Sequence, residues 1–199
     1  LWDEPDRITK IGGQVRYTVV MSHQNLWAPW RMEYLRQLER SAAPALPGSG
    51  EPSGCFLCEA GKAAPGSSEA RDRLVLFHDE RGLILLNRFP YTNGHLLIGV
   101  EPHLGDLTDL TPAQRSGLIE LTALGEELLQ AAVNPQGINI GINVGRSAGA
   151  GVPGHLHVHV VPRWAGDVNF MQTVGQVRVI PQALEQSYEH LAEVLKRIV

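Results

Sequence analysis

The sequence predicts an α+β protein: an antiparallel sheet of about five strands, one long helix, and a second helix closing the chain. Three observations carry this. Short apolar runs are separated by hairpin-length turns, two segments carry apolar stripes at helical spacing, and strands and helices alternate without βαβ regularity.

Taken in order, residues 1–20 admit two readings. Either QVRYTVV is an additional strand, or the segment precedes the natural start at Met21, so that 1–21 is an extension of uncertain origin and 22–199 a single domain. Residues 22–40 read as a tryptophan-containing entry and a short helix. Residues 41–54, SAAPALPGSGEPSG, are so rich in small residues, proline and glycine that a flexible loop is expected. LVLFHD and GLILLN, split by Glu80, Arg81 and Gly82, have hairpin spacing, and HLLIGV is the next strand.

Thr111, Pro112 and Gln114 form a helix start: a hydroxyl cap, a proline whose missing N–H costs nothing there, and a glutamine placed for a capping box. Leu118, Leu121, Leu124 and Leu128 then make a core-facing stripe. GINIGINV and HLHVHVVP flank a loop of small residues. A helix from about Pro181 carries Leu184, Tyr188, Leu191, Leu195 and Ile198 on one face.

Composition removes several classes of function. With 43% hydrophobic and 19% charged residues in 199, the chain is an ordinary globular protein. A net charge of -4 and the lack of a lysine or arginine run argue against a nucleic-acid polymer as partner. No stretch approaches the roughly 20 apolar residues of a membrane span, and the first twenty residues lack the apolar core of a secretion signal. A cytoplasmic location is therefore expected.

The chemistry concentrates in His155, His157 and His159, which alternate with Leu156, Val158 and Val160. On a strand this period puts the three imidazoles on one face and the aliphatics in the core. Neighbouring members would lie about 6.7 Å apart and the outer two about 13 Å, too far for one ion with bonds of about 2.0 to 2.1 Å to hold all three. At least one imidazole is left for proton transfer or nucleophilic attack, the central one above all. Gly145, Gly149, Gly151 and Gly154 precede the strand in a loop whose bare N–H groups suit a phosphate.

Cys55 and Cys58 are the only cysteines, so a disulfide framework is out; a redox pair, a zinc half-site or two unligated thiols remain. His23, His78 and His190 fit no constellation. Trp27, Trp30 and Trp164 are expected near the site or a subunit interface rather than in catalysis.

HLHVHVVPRWAGDVNF resembles the signature of the histidine triad (HIT) superfamily, and NRFPYTNGHLLIGVEPH resembles the strands that precede it there; the likeness covers roughly residues 55–180. It implies the HIT-like fold and a nucleotide chemistry in which His157 attacks an α-phosphorus to form a nucleotidyl-histidine. The same resemblance implies that His159 bonds the phosphate oxygens and that the backbone at His155 sets the tautomer of His157. It also places Asn87 at the ribose, Leu85 beside the base and Asn143 near the phosphates, and makes His95 structural. Family members carry a hydroxyl or amide three or four residues before the first histidine. Here those positions are Val152 and Gly151, leaving Ser147, Gly149 and Gly154 to supply the loop contacts.

In the zinc-bearing branches the cysteine pair is joined by histidines corresponding to His103 and His155, which implies a closed Cys2His2 structural zinc. PYTNGHLLIGVEP, NVGRSAG, VIPQAL and the entry LWAPWRMEYL are most similar to the bacterial branch of diadenosine polyphosphate phosphorylases or adenylyltransferases. The expectation is an enzyme acting on a small nucleotide such as a dinucleoside polyphosphate, by phosphorolysis or hydrolysis, with a homodimer implied by resemblance alone. A nucleotide-binding regulatory module without turnover and a zinc-stabilised interaction protein are the alternatives.

Overall fold

Turn chemistry and strand alternation set the architecture. A computed structural model describes residues 9–11, 14–16, 54–167 and 182–199. The chain divides into two units, Leu1–Pro47 and Gly48–Val199, a division that falls inside the segment 41–54 read as a loop. In the first unit β1 (Thr9–Ile11) and β2 (Gln14–Arg16) pair antiparallel. The helix expected within 22–40, His23, Trp27 and Trp30 lie outside the described residues.

The second unit is built on a five-stranded sheet. Its strands are β3 (Val75–Asp79), β4 (Gly82–Leu86), β5 (Leu96–Val100), β6 (Gly137–Ile142) and β7 (His157–Arg163), in the order β3-β4-β5-β7-β6 with every neighbour antiparallel. The β3–β4 hairpin turns where expected. Asp79 accepts a bond from the Arg81 N–H at 2.9 Å, and Gly82 has φ +145° with the Gly99 carbonyl 2.1 Å from where a Cβ would stand. Only glycine fits there.

The first three strands form the expected meander. The long helix α3 (Pro112–Val133) then carries the chain to the far edge, so β7 returns between β5 and β6. Its capping box is complete: the Thr111 hydroxyl accepts from the Gln114 N–H, and the Gln114 side chain accepts from the Thr111 N–H at 2.8 Å. Asn134, in the left-handed conformation, ends it. The C-terminal helix α4 (Leu184–Leu195) packs against α3 and β3.

Alternation along the strands makes two cores. Ile84, Leu86, Ile98, Val158 and Val160 point to one face and pack with Leu118, Leu121, Leu128 and Leu191 of the helices. Each such fully buried side chain contributes about 1.5–3 kcal/mol. Leu83, Leu85 and Leu97 point the other way and meet two short helices the sequence did not reveal, α1 (Phe56–Gly61) and α2 (Ser68–Asp72), through Leu57, Ala60 and Ala70.

Candidate active site

Strand β7 begins at His157, so His155 and Leu156 lead into it rather than belong to it. The alternation nevertheless holds. Leu156, Val158 and Val160 enter the larger core, and the histidines lie on the opposite side, with His155 and His157 only 1% and 5% exposed.

A chain of hydrogen bonds orders these rings. His155 Nε2–H donates to the Val100 carbonyl at 2.7 Å, which leaves its Nδ1 as a bare lone pair. The His155 carbonyl in turn accepts from His157 Nδ1–H at 2.8 Å. The free lone pair of His157 is thereby at Nε2, on a ring that lines a cavity of about 570 Å³. A carbonyl partner at 2.8 Å requires the proton of His157 to sit on Nδ1.

His159 is ordered by a residue the sequence reading treated as merely structural. The Tyr91 N–H donates to His95 Nδ1 at 3.1 Å, so His95 carries its proton on Nε2, which lies 3.0 Å from His159 Nδ1. His159 then carries its proton at Nε2, 3.5 Å from the Asn143 side chain, whose carboxamide oxygen accepts it once the amide is turned end for end. His95 is fully buried, and the Tyr91 ring stacks on His159 at 5.9 Å. Burial, and then the nearby His157, lower the pKa of His159, favouring the neutral donor. The signal for His95 was its place at the start of a fully apolar strand, HLLIGV, where a histidine needs a polar partner on the sheet.

The cavity is bounded by Phe56, Leu85, Leu97, Asn87, Phe89, Tyr91, Gly149, His157 and His159, together with Arg73 and Arg88. It is the right size for a nucleotide, apolar with a few convergent polar groups. Of the residues assigned from sequence, Leu85, Asn87 and Gly149 line it. The Asn87 carboxamide is held by the Phe89 N–H, which donates to its oxygen at 3.0 Å. Asn143 lies beyond His159, in an adjoining polar cavity of about 400 Å³. Ser147 sits on an exposed 3-10 turn, Arg146–Ala148, and does not line the larger cavity. Gly154 does not line it either; it lies against His103, where a Cβ would stand 3.2 Å from Nε2. Phe56, Arg73 and Phe89 were missed, since nothing local marks a side chain as facing a distant strand.

On the same side of the sheet, Cys55, Cys58, His103 and His155 converge, their ligand atoms all within 4.8 Å of one another. His155 Nδ1 is 3.3 Å from each sulfur, and His103 Nδ1 is 3.1 Å from Cys58 Sγ. A tetrahedral zinc with bonds of about 2.3 Å to sulfur and 2.0 Å to nitrogen separates such atoms by about 3.5 Å. The donor set and spacing fit that ion. Left to itself the Cys58 thiol opposes ionisation: burial, then Cys55, push it up to about 11, and a cation reverses this.

Elsewhere, His78 pairs with Glu101 at 2.9 Å and His190 Nε2 donates to the Ala132 carbonyl at 2.8 Å, tying α4 to α3. Trp164 follows β7, its N–H bonded to Asp167, and stands outside the larger cavity.

Known proteins resemble this chain in sequence and fold. The model of the HIT domain matches residues 68–166. The chain is 37% identical over 175 residues, 85% of its length and 83% of the relative's, to an AP-4-A phosphorylase of Mycobacterium tuberculosis. It is 30% identical over 93 residues, 47% of its length and 50% of the relative's, to an asymmetrical bis(5'-nucleosyl)-tetraphosphatase of Schizosaccharomyces pombe. Among solved structures, a zinc-bound histidine triad family protein from Mycobacterium smegmatis superposes with a TM-score of 0.55 at 32% identity, covering 75% of this chain and 97% of that one. Sheet order, an ordered row of histidines and extended sequence identity agree: this chain belongs to the HIT family.

Proposed function

We propose that this protein is an enzyme that cleaves dinucleoside polyphosphates, forming a nucleotidyl-histidine on His157 and passing the nucleotidyl group to inorganic phosphate. The observation that carries this is the His157 ring, held through Nδ1 by the His155 carbonyl with its Nε2 lone pair left for attack. The relative named AP-4-A phosphorylase supports phosphate as acceptor; the tetraphosphatase relative supports water as the second reading.

In the first step Nε2 of His157 forms a bond to the α-phosphorus, the bridging P–O bond breaks, and the rest of the substrate leaves as a nucleoside polyphosphate. Positive charge develops on the His157 ring, and the His155 carbonyl accepting Nδ1–H stabilises it. His159 donates Nε2–H to a non-bridging oxygen, with Asn143 beside it. The base lies against Leu85 and Leu97, and the ribose reaches Asn87. In the second step phosphate attacks the same phosphorus and His157 departs unchanged.

Cys55, Cys58, His103 and His155 would hold a zinc ion. Its role when bound is structural: it ties α1 and the loop around His103 to the residue that orients the nucleophile. The two-fold dimer expected from resemblance belongs to the same reading and is checked by sedimentation.

Product analysis with diadenosine tetraphosphate tests the assignment. ADP and ATP formed only when phosphate is present establish the phosphorylase; AMP and ATP formed regardless of phosphate establish the hydrolase. Binding without any product would leave only the regulatory module.

A further inference from the structure

We infer that the Cys2His2 site controls nucleotide affinity through Phe56, so that metal and nucleotide strengthen each other's binding. This rests on the nucleotide reading of the larger cavity and extends it to regulation.

Phe56 stands between the two cysteines, one position after Cys55 and two before Cys58. Its neighbours Cys55 and Leu57 are buried at 7% and 0% exposure, whereas Phe56 is 43% exposed and lines the cavity that His157 also lines. The helix that carries it, α1, has six residues and no side-chain cap. A helix so short has no stability of its own in water. It is held by the packing of Leu57 and Ala60 into the smaller core, by the junction of both cysteine sulfurs with His103 and His155, and by a long, partly exposed ion pair from Glu59 to Arg73. Leu57 fixes one side of the helix only. Binding of both sulfurs to one ion fixes the backbone on either side of Phe56, and with it the direction in which the ring projects.

Linkage then works in both directions. An ion that holds the wall in place removes an ordering cost from nucleotide binding, and a nucleotide stacked on that wall makes loss of the ion harder by the same factor. His155 also joins the two sites, through its carbonyl bond to His157; Phe56 is the coupling element for the apolar wall of the cavity, because it sits in the segment between the two cysteines.

Calorimetric titration of the full chain with AMP, zinc-loaded and after chelation, tests this together with the same measurement on Phe56→Ala. Zinc-loaded wild-type protein should bind AMP about tenfold more tightly than the stripped protein, while Phe56→Ala should bind weakly in both states. AMP, at saturation for each protein, should also slow zinc transfer to a chromogenic chelator about tenfold for wild type and hardly at all for Phe56→Ala. The second measurement decides the matter even where the stripped chain unfolds. Equal AMP affinity in folded stripped and loaded wild-type protein overturns the linkage. So does equal slowing of zinc loss in both variants. Failure of zinc-loaded wild type to bind AMP overturns the nucleotide reading itself.

Discussion

The two faces of the sheet are made from the same strands by opposite rules. On one, Ile84, Leu86, Ile98, Val158 and Val160 meet α3 and α4 in a continuous apolar layer, where shape and area are what count. On the other, the alternate residues of those strands support His157, His159, the cysteines and two short helices around cavities. The first face gains stability from every side chain. The second is held open by hydrogen bonds, a metal-suited cluster and one small core, and its order depends on a few specific atoms. Stability and chemistry are thus assigned to opposite sides of β7 by a period of two residues.

The sharpest way to break the comparison is to damage each face separately. His157→Ala should lower turnover by at least about a thousandfold and abolish the covalent nucleotidyl adduct seen by mass spectrometry, with the melting temperature little changed. Turnover near the wild-type rate would remove His157 from its role. On the opposite face, Leu121→Ala, at a fully buried position, should cost about 2–5 kcal/mol while the surviving folded protein keeps its affinity for nucleotide. A denaturant titration paired with AMP binding separates the two effects.

His95→Ala probes the buried partner of His159. Loss of the donor that fixes the His159 tautomer should reduce kcat about 10- to 100-fold, with KM less affected and the acidic limb of the pH–rate profile displaced. A kcat unchanged from wild type would make His95 a packing residue only.

Acid should weaken the histidine face first. Burial holds both His155 and His159 below the ordinary histidine value of 6.5. With a lowered folded-state pKa, the unfolded chain binds more protons below that pH. The stability contribution is therefore complete above pH 6.5 and is lost as pH falls toward the lowered values. Urea unfolding at a series of pH values should show this decline, and a flat profile would contradict it. Smallest of all, Thr111→Ala at the cap of α3 should cost about 1 kcal/mol and leave catalysis untouched, as a change to the apolar side of the molecule should.

Much of this was legible in the sequence because it is local. The hairpin at Glu80–Gly82, the capping box at Thr111 and Gln114, the leucine stripe of α3 and the alternating His155, His157 and His159 each declare themselves within a few residues. Leu85, Asn87 and Gly149, expected from resemblance and loop composition, line the larger cavity. Ser147 and Gly154 do not line it: a glycine-rich loop says that backbone can come close without saying to what, and Gly154 lies against His103. The helices α1 and α2 escaped notice for a related reason. With six and five residues they are too short for a periodic pattern and exist because Leu57, Ala60 and Ala70 find a core to enter.

What the sequence determined by itself is the division of labour along β7 and the chemical types present: a row of imidazoles, a thiol pair, a capped helix and its apolar stripe. These follow from backbone periodicity, which acts at any point of the chain. Only the tertiary structure decided which groups meet. Cys58 and His103 are 45 residues apart in sequence, Cys55 and His155 100, and His95 and His159 64. Their approach is the outcome of strand order and of a helix crossing to the far edge, where contact is set by the packing of the whole sheet and no local pattern records it.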